Sequence, residues 1–138
     1  MENILQINNI EVVYNKAVQV LRGLSLIVPK GAIVALLGSN GAGKSTVLKS
    51  VSGLLRLEDG EVESGEIIFK DRSVALDSQE KLVHRGLFHM MEGRHIFEDL
   101  TVEENLIAAT YACKDKSSAS DSFDMVYEYF PLLKEYHS

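Results

Sequence analysis

The chain has 138 residues, 46% of them hydrophobic and 25% charged, with a net charge of −6 at neutral pH. That length suits one domain with a real core, and the balance is that of an ordinary globular protein. The acidic excess argues against a nucleic-acid partner, which needs a basic face. The single cysteine, Cys113, excludes an internal disulfide and reads as a small buried apolar residue compatible with a reducing cytosol.

The start Met1-Glu2-Asn3-Ile4 lacks the basic and apolar segments of a signal peptide. No apolar run approaches the ~20 residues of a membrane span, so a membrane role would have to come through a partner. Leu5 and Ile7 alternate with polar neighbours, Asn8-Asn9 reads as a turn, and Ile10, Val12 and Tyr14 alternate again. Leu24, Leu26 and Val28 form a third such run, closed by Pro29-Lys30-Gly31. These runs predict short antiparallel strands leading to Ile33-Val34-Ala35-Leu36-Leu37, which reads as a buried strand.

A glycine-rich segment follows, and then Val47, Leu48 and Val51 at helical spacing, with Gly53 as the helix stop. Glu58, Asp59, Glu61, Glu63 and Glu66 read as a solvated surface loop. Ile67-Ile68-Phe69 predicts a strand closed by Lys70-Asp71, and Ser78 to His84 a weak helix stopped at Gly86. Leu87-Phe88-His89-Met90-Met91 reads as a short buried strand ending at Glu92-Gly93. Thr101-Val102-Glu103-Glu104 is a capping box ahead of a helix with Val102, Leu106 and Ala109 on one face. Lys114 to Ser122 reads as a loop, and Phe123, Val126, Tyr127 and Phe130 as a second apolar stripe that Pro131 interrupts. There is no internal repeat and no linker.

Gly38-Ser39-Asn40-Gly41-Ala42-Gly43-Lys44-Ser45-Thr46 fits G-x-x-x-x-G-K-[ST], the phosphate-binding loop, between a predicted strand and a predicted helix. Its glycines let the backbone bend and approach a ligand, so that N–H groups converge on phosphate oxygens at the positive end of the helix. Lys44 then reaches the β- and γ-phosphates, and the Ser45 hydroxyl holds Mg²⁺.

The loop resembles that of the ATP-binding cassette (ABC) transporter family. Tyr14 stands upstream, where that family has an aromatic residue stacking on adenine. The segment Glu92-Gly93-Arg94-His95-Ile96-Phe97-Glu98-Asp99-Leu100-Thr101-Val102-Glu103-Glu104-Asn105-Leu106 resembles the family's Q-loop region, in the form found in branched-chain amino-acid importers. Leu21-Arg22-Gly23-Leu24-Ser25-Leu26 and Ile33 to Gly38 fit the same subfamily. The resemblance implies an α/β P-loop NTPase of the ABC type, with an N-terminal antiparallel β subdomain and the start of a RecA-like core. It implies ATP and Mg²⁺ as ligands, with residues 38–46 and Tyr14 holding the nucleotide, Ser45 and Glu92 facing Mg²⁺ or the attacking water, and Lys44 and Glu92 as catalytic residues. Implied partners are a transmembrane permease subunit and a second ATP-binding subunit, at the cytoplasmic face of the membrane, with membrane contact only through the permease. Glu92 stands where most of the family has glutamine; an ionised carboxylate accepts hydrogen bonds but donates none.

The family pattern continues with an LSGGQ-type signature, an apolar quartet followed by Asp-Glu, and a switch histidine. None occurs in these 138 residues, and His84, His89, His95 and His137 read as plain surface or strand residues. Residues 1–138 thus read as the N-terminal part of a nucleotide-binding domain, incomplete at the C-terminus, either a fragment or a truncated product. Without those carboxylates the chain alone is expected to bind nucleotide weakly and not to hydrolyse it. Alternatives are a non-catalytic product that binds nucleotide or a membrane subunit, and another P-loop NTPase or kinase. A GTPase should carry N-K-x-D and D-x-x-G; Asn15-Lys16-Ala17-Val18 fails the first, and the second is absent.

Overall fold

A computed structural model describes residues 2–93, 95–112 and 118–136. Cys113 and His137 lie outside them, as does part of the expected loop from Lys114. Contacts divide the chain into two units, Met1–His89 and Met90–Ser138.

In the first unit the strands are β1 (Asn3–Tyr14), β2 (Val18–Pro29), β3 (Gly60–Phe69) and β4 (Arg72–Ser73), in the spatial order β2-β1-β3-β4. All neighbours are antiparallel. Asn8-Asn9 makes no chain reversal: β1 runs through it as one strand, with Asn9 at φ 48°. Between Ile7 and Ile10 the strand gains a residue against β2, and it does the same against β3 between Asn8 and Glu11. A bulge of this kind reverses the side-chain alternation. Ile7 and Ile10, three positions apart, are therefore both fully buried. The change of parity imitates a turn in the sequence.

β1 and β2 are joined by a loop at Asn15 and Lys16, both at positive φ, and Asn15 N–H donates to Asp59 O at 2.9 Å. β3 and β4 are joined by Lys70 and Asp71 at φ 48° and 59°, the backbone of a two-residue hairpin. The acidic stretch at Glu61 to Glu66 belongs to β3 rather than to a loop; its side chains are exposed while its backbone pairs with β1. Main-chain pairing overrides composition there.

The helices α1 (Lys44–Ser52) and α2 (Gln79–His84) belong to the same unit. Ile7, Ile10, Val12, Leu21, Ile67 and Phe69 from the sheet form one core with Val47 and Val51 of α1 and Leu82 of α2. Leu48 is exposed on the opposite side of α1. Gly53 ends α1 in the left-handed conformation, its N–H bonding to Lys49 O, and the Ser78 hydroxyl caps α2 through Lys81 N–H.

Two expected strands are absent among the described residues. Ile33 to Leu37 has no ladder partner, Ile33 is completely exposed and Leu37 88% exposed. Leu87 to Met91 is likewise unpaired, with Phe88 and Met90 exposed. Apolar runs of this length become buried strands only when neighbouring strands flank them, and none of the described strands does so.

The second unit holds α3 (Val102–Ala109), α4 (Ser118–Tyr129) and α5 (Pro131–Glu135). The Thr101 capping box forms as expected: Thr101 Oγ1 accepts from Glu104 N–H and the Glu104 carboxylate from Thr101 N–H. The Asn105 amide binds the loop before it, accepting from Phe97 N–H at 2.9 Å and donating to Phe97 O, Leu100 O and Thr101 O. α4 begins at Ser118, inside the expected loop, and Phe123, Val126 and Tyr127 are half-buried. Pro131 opens α5, where its missing N–H costs nothing.

Candidate functional site

The glycine loop ends on Gly43, the N-cap of α1, at φ 89°. A Cβ there would lie 2.7 Å from Leu21 Cδ2, so the core of the sheet also demands glycine at this position. Gly41 is at φ 82°, and Ala42 N–H closes a tight turn onto Ser39 O at 3.1 Å. No side chain caps α1. The first-turn N–H groups and the positive end of the helix thus meet the loop, the arrangement that binds phosphate.

Lys44 curls back over the loop, and its Nζ donates to Gly38 O at 2.7 Å and Ser39 O at 2.6 Å. Ser45 is exposed, whereas Thr46 is buried beneath it in the first turn. Tyr14 closes β1 half-buried, its hydroxyl 3.4 Å from Thr46 Oγ1. Its ring lies against Gly60, where a Cβ would come within 2.9 Å of Tyr14 Cε1. Strand end and loop helix are thereby brought together as Tyr14, residues 38–46 and the start of α1.

Glu92 belongs to the second unit. It is exposed in a bend, and its carbonyl accepts from His95 Nε2 at 2.7 Å. No set of three or more His, Cys, Asp or Glu among the described residues could hold a metal ion. Mg²⁺ held by one hydroxyl and the phosphates of a nucleotide needs no such set, so the donors present fit it. A wide groove of about 1420 Å³, lined among others by Ser50, Arg56, Glu61, Val74 and Gln79, shares no residue with the loop.

Two polar ties have no signature in the sequence. Ser52 Oγ lies 2.8 Å from His89 Nδ1, and the Arg85 guanidinium binds the Asp77 carboxylate and the carbonyls of Phe69 and Arg72. Each joins residues of unrelated local pattern, so neither periodicity nor spacing announces it. Among the described residues no helix is long and apolar enough to cross a membrane.

The ABC transporter family model matches residues 21–136. The chain is 35% identical over 131 residues to the high-affinity branched-chain amino acid transport ATP-binding protein BraG of Pseudomonas aeruginosa, covering 95% of this chain and 53% of BraG. It is 34% identical over 122 residues to the lipopolysaccharide export system ATP-binding protein LptB of Escherichia coli K12, covering 88% of this chain and 47% of LptB. The chain thus spans about half the length of these relatives. A solved ATP-binding subunit of an ABC transporter superposes with a TM-score of 0.80 at 29% identity, over 98% of this chain and 53% of that one. Phosphate loop, antiparallel sheet and family match agree, and the chain belongs to the ABC transporter family of ATPases.

Proposed function

We propose that residues 1–138 form the N-terminal part of an ABC nucleotide-binding domain, with the helical subdomain starting near Thr101. ATP binds with its phosphates in the loop 38–46 and its adenine on Tyr14. The whole protein couples ATP hydrolysis to import through a transmembrane permease and a second ATP-binding subunit, at the cytoplasmic face of the membrane. Branched-chain amino acids or similar solutes are the proposed cargo, supported by the likeness to BraG; the comparable likeness to LptB keeps that assignment separate from the nucleotide site.

The observation that carries the reading is the uncapped N-terminus of α1 behind a left-handed Gly43, with Lys44 lying across the loop. Lys44 Nζ bonds two neutral carbonyls there. Exchanging them for phosphate oxygens adds the attraction between opposite charges to bonds that now end on neutral acceptors. Tyr14 presents a ring for stacking, worth about 1–3 kcal/mol by analogy with base–aromatic contacts. Its hydroxyl at Thr46 fixes that ring relative to the first turn of α1. Mg²⁺ supplies charge neutralisation on the β- and γ-phosphates when bound, and the Ser45 hydroxyl and Glu92 carboxylate are the groups of this chain that would hold it or its water. Residues 1–138 contain neither the signature nor the Asp-Glu pair, so these residues alone should bind nucleotide without turning it over.

The test is titration of the purified chain with a fluorescent ATP analogue, with phosphate release followed alongside. Lys44→Ala is expected to weaken binding by about tenfold to a hundredfold, the loss of hydrogen bonds between charged groups. Equal affinity in the wild type and Lys44→Ala, or no binding by either, would sink the nucleotide reading. The cargo is tested separately, by uptake of labelled leucine in cells with and without the gene.

A further inference from the structure

We propose that Gly60 is a positioning residue for the nucleotide base: together with Thr46 it seats the Tyr14 ring where the base stacks. The inference rests on the reading of Tyr14 given above. Tyr14 and Gly60 stand opposite each other in the β1–β3 register. Gly60 is buried, whereas Glu61 to Glu66, the next six residues of β3, are all exposed. The Tyr14 ring lies over it. A Cβ on Gly60 would come within 2.9 Å of Tyr14 Cε1, 3.1 Å of Tyr14 Cδ1 and 3.2 Å of Leu55 O. The backbone does not call for glycine here, since Gly60, unlike Gly43 and Gly65, is not at positive φ. Space for the ring and for the Leu55 carbonyl is the remaining reason for it.

The ring is held at two points. One side rests on Gly60, and the hydroxyl at its tip meets Thr46 Oγ1 at 3.4 Å, the long end of hydrogen-bonding distance. Thr46 is buried in the first turn of α1, so the tip is tied to the helix that opens on the phosphate loop. Asn15 N–H donates to Asp59 O at 2.9 Å, one residue beyond Tyr14 and one before Gly60, which ties the two backbones beside the pair. A methyl group at position 60 is therefore accommodated by moving the ring. The hydroxyl bond has no slack to follow that movement. Tyr14 is half-buried and keeps surface for a base, and that surface is displaced relative to a phosphate loop whose own groups are untouched. Tyr14, Thr46 and Gly60 all belong to the first unit.

The test is calorimetric titration of the 138-residue chain with ATP and with inorganic tripolyphosphate, both with Mg²⁺. Tripolyphosphate reads the loop alone, and the ratio of the two affinities reads the nucleoside end. Gly60→Ala should weaken ATP binding about tenfold, within the range of one base–aromatic stack, and leave tripolyphosphate binding unchanged. In a Tyr14→Ala background, Gly60→Ala should make no further difference to ATP. An unchanged ATP affinity in Gly60→Ala overturns the proposal. So do equal losses for both ligands, which mark a merely structural defect, and a loss that persists in the Tyr14→Ala background. A second readout uses the wild type: the Gly60 α-protons should show nuclear Overhauser contacts to the Tyr14 ring and shift with ATP but not with tripolyphosphate. Absence of either effect overturns the proposal, and this readout decides it if Gly60→Ala does not fold. If the wild type binds ATP no more tightly than tripolyphosphate, the stacking role of Tyr14 fails and the proposal with it. If it binds neither, the function reading fails, and the Overhauser contacts still decide whether Gly60 seats the ring.

Discussion

A Cβ placed on Gly65 would lie 2.5 Å from Asn8 O and 2.6 Å from the Asn9 carbonyl carbon, and the residue sits at φ 85°. The obstacle is backbone, which cannot swing aside as a side chain can. Gly65→Ala is expected to cost about 3 kcal/mol, from overpacking and left-handed strain together, measured by urea unfolding. Gly38, Gly41 and Gly43 were legible in the sequence because a motif of fixed spacing names them. Gly65 was not, since its constraint comes from a bulge in another strand. The proposed roles of Lys44 and Ser45 come from the spacing of the motif and that of Tyr14 from the family resemblance, while neither pairs Ser52 with His89. Their contact joins positions 37 apart, with only the fold to bring them together.

Arg85, which follows α2, ties that helix to the β3–β4 hairpin. Its guanidinium binds the Asp77 carboxylate and the carbonyls of Phe69 and Arg72, and stacks 5.4 Å over the Phe69 ring. The Arg85 and Asp77 side chains are 15% and 11% exposed, so removing one strands the other. Arg85→Ala should destabilise by about 3 kcal/mol in urea, and an Arg85→Met/Asp77→Leu double variant should recover at least half of that. At the far end of α1, Lys49 Nζ meets Glu58 at 2.6 Å and ties the helix to the turn before β3. The Glu58 carboxylate, chiefly through this hydrogen bond, raises the Lys49 ammonium above its ordinary 10.5. The folded state therefore holds that proton more tightly than the unfolded chain. The pair's contribution is whole below pH 10.5 and is lost as pH rises through the folded value. The stability gap between wild type and Lys49→Met should stay constant up to about pH 10 and close above it, as read by urea midpoints along a pH series. α1, α2 and α3 were legible from their caps and stops. The end of β3 at Ile67-Ile68-Phe69 was legible, while its acidic first part was hidden by composition.

Ile33, Val34 and Leu37 leave an extended apolar run open to solvent, with unpaired backbone beside it. Such an edge is a template for association. The 138-residue chain should sediment as a mixture of monomer and larger species at tens of micromolar, and Ile33→Lys/Leu37→Lys should shift it to monomer. A monomeric wild type would contradict this. The family was readable at the scale of the whole chain because three separated motifs stand in order. The burial of the run before the loop was misjudged, because an apolar strand is buried by its neighbours and not by its own composition. The proposed cargo is not legible in these residues, since a branched-chain amino acid transport protein and a lipopolysaccharide export protein match them at similar identity.

The extra residue at Asn8-Asn9 gives β1 a phase. Tyr14 lies about 16 Å further along the strand, yet which side of the sheet it emerges on is set there, by counting. Deleting one asparagine would leave every later residue chemically intact and turn each to the opposite side, carrying Tyr14 away from Thr46. Single-residue insertions and deletions should therefore be tolerated in the Asn15-Lys16 loop far better than at the bulge, although both lie at the surface. The grip on a nucleotide base would depend on the arithmetic of a strand as much as on the ring that makes it.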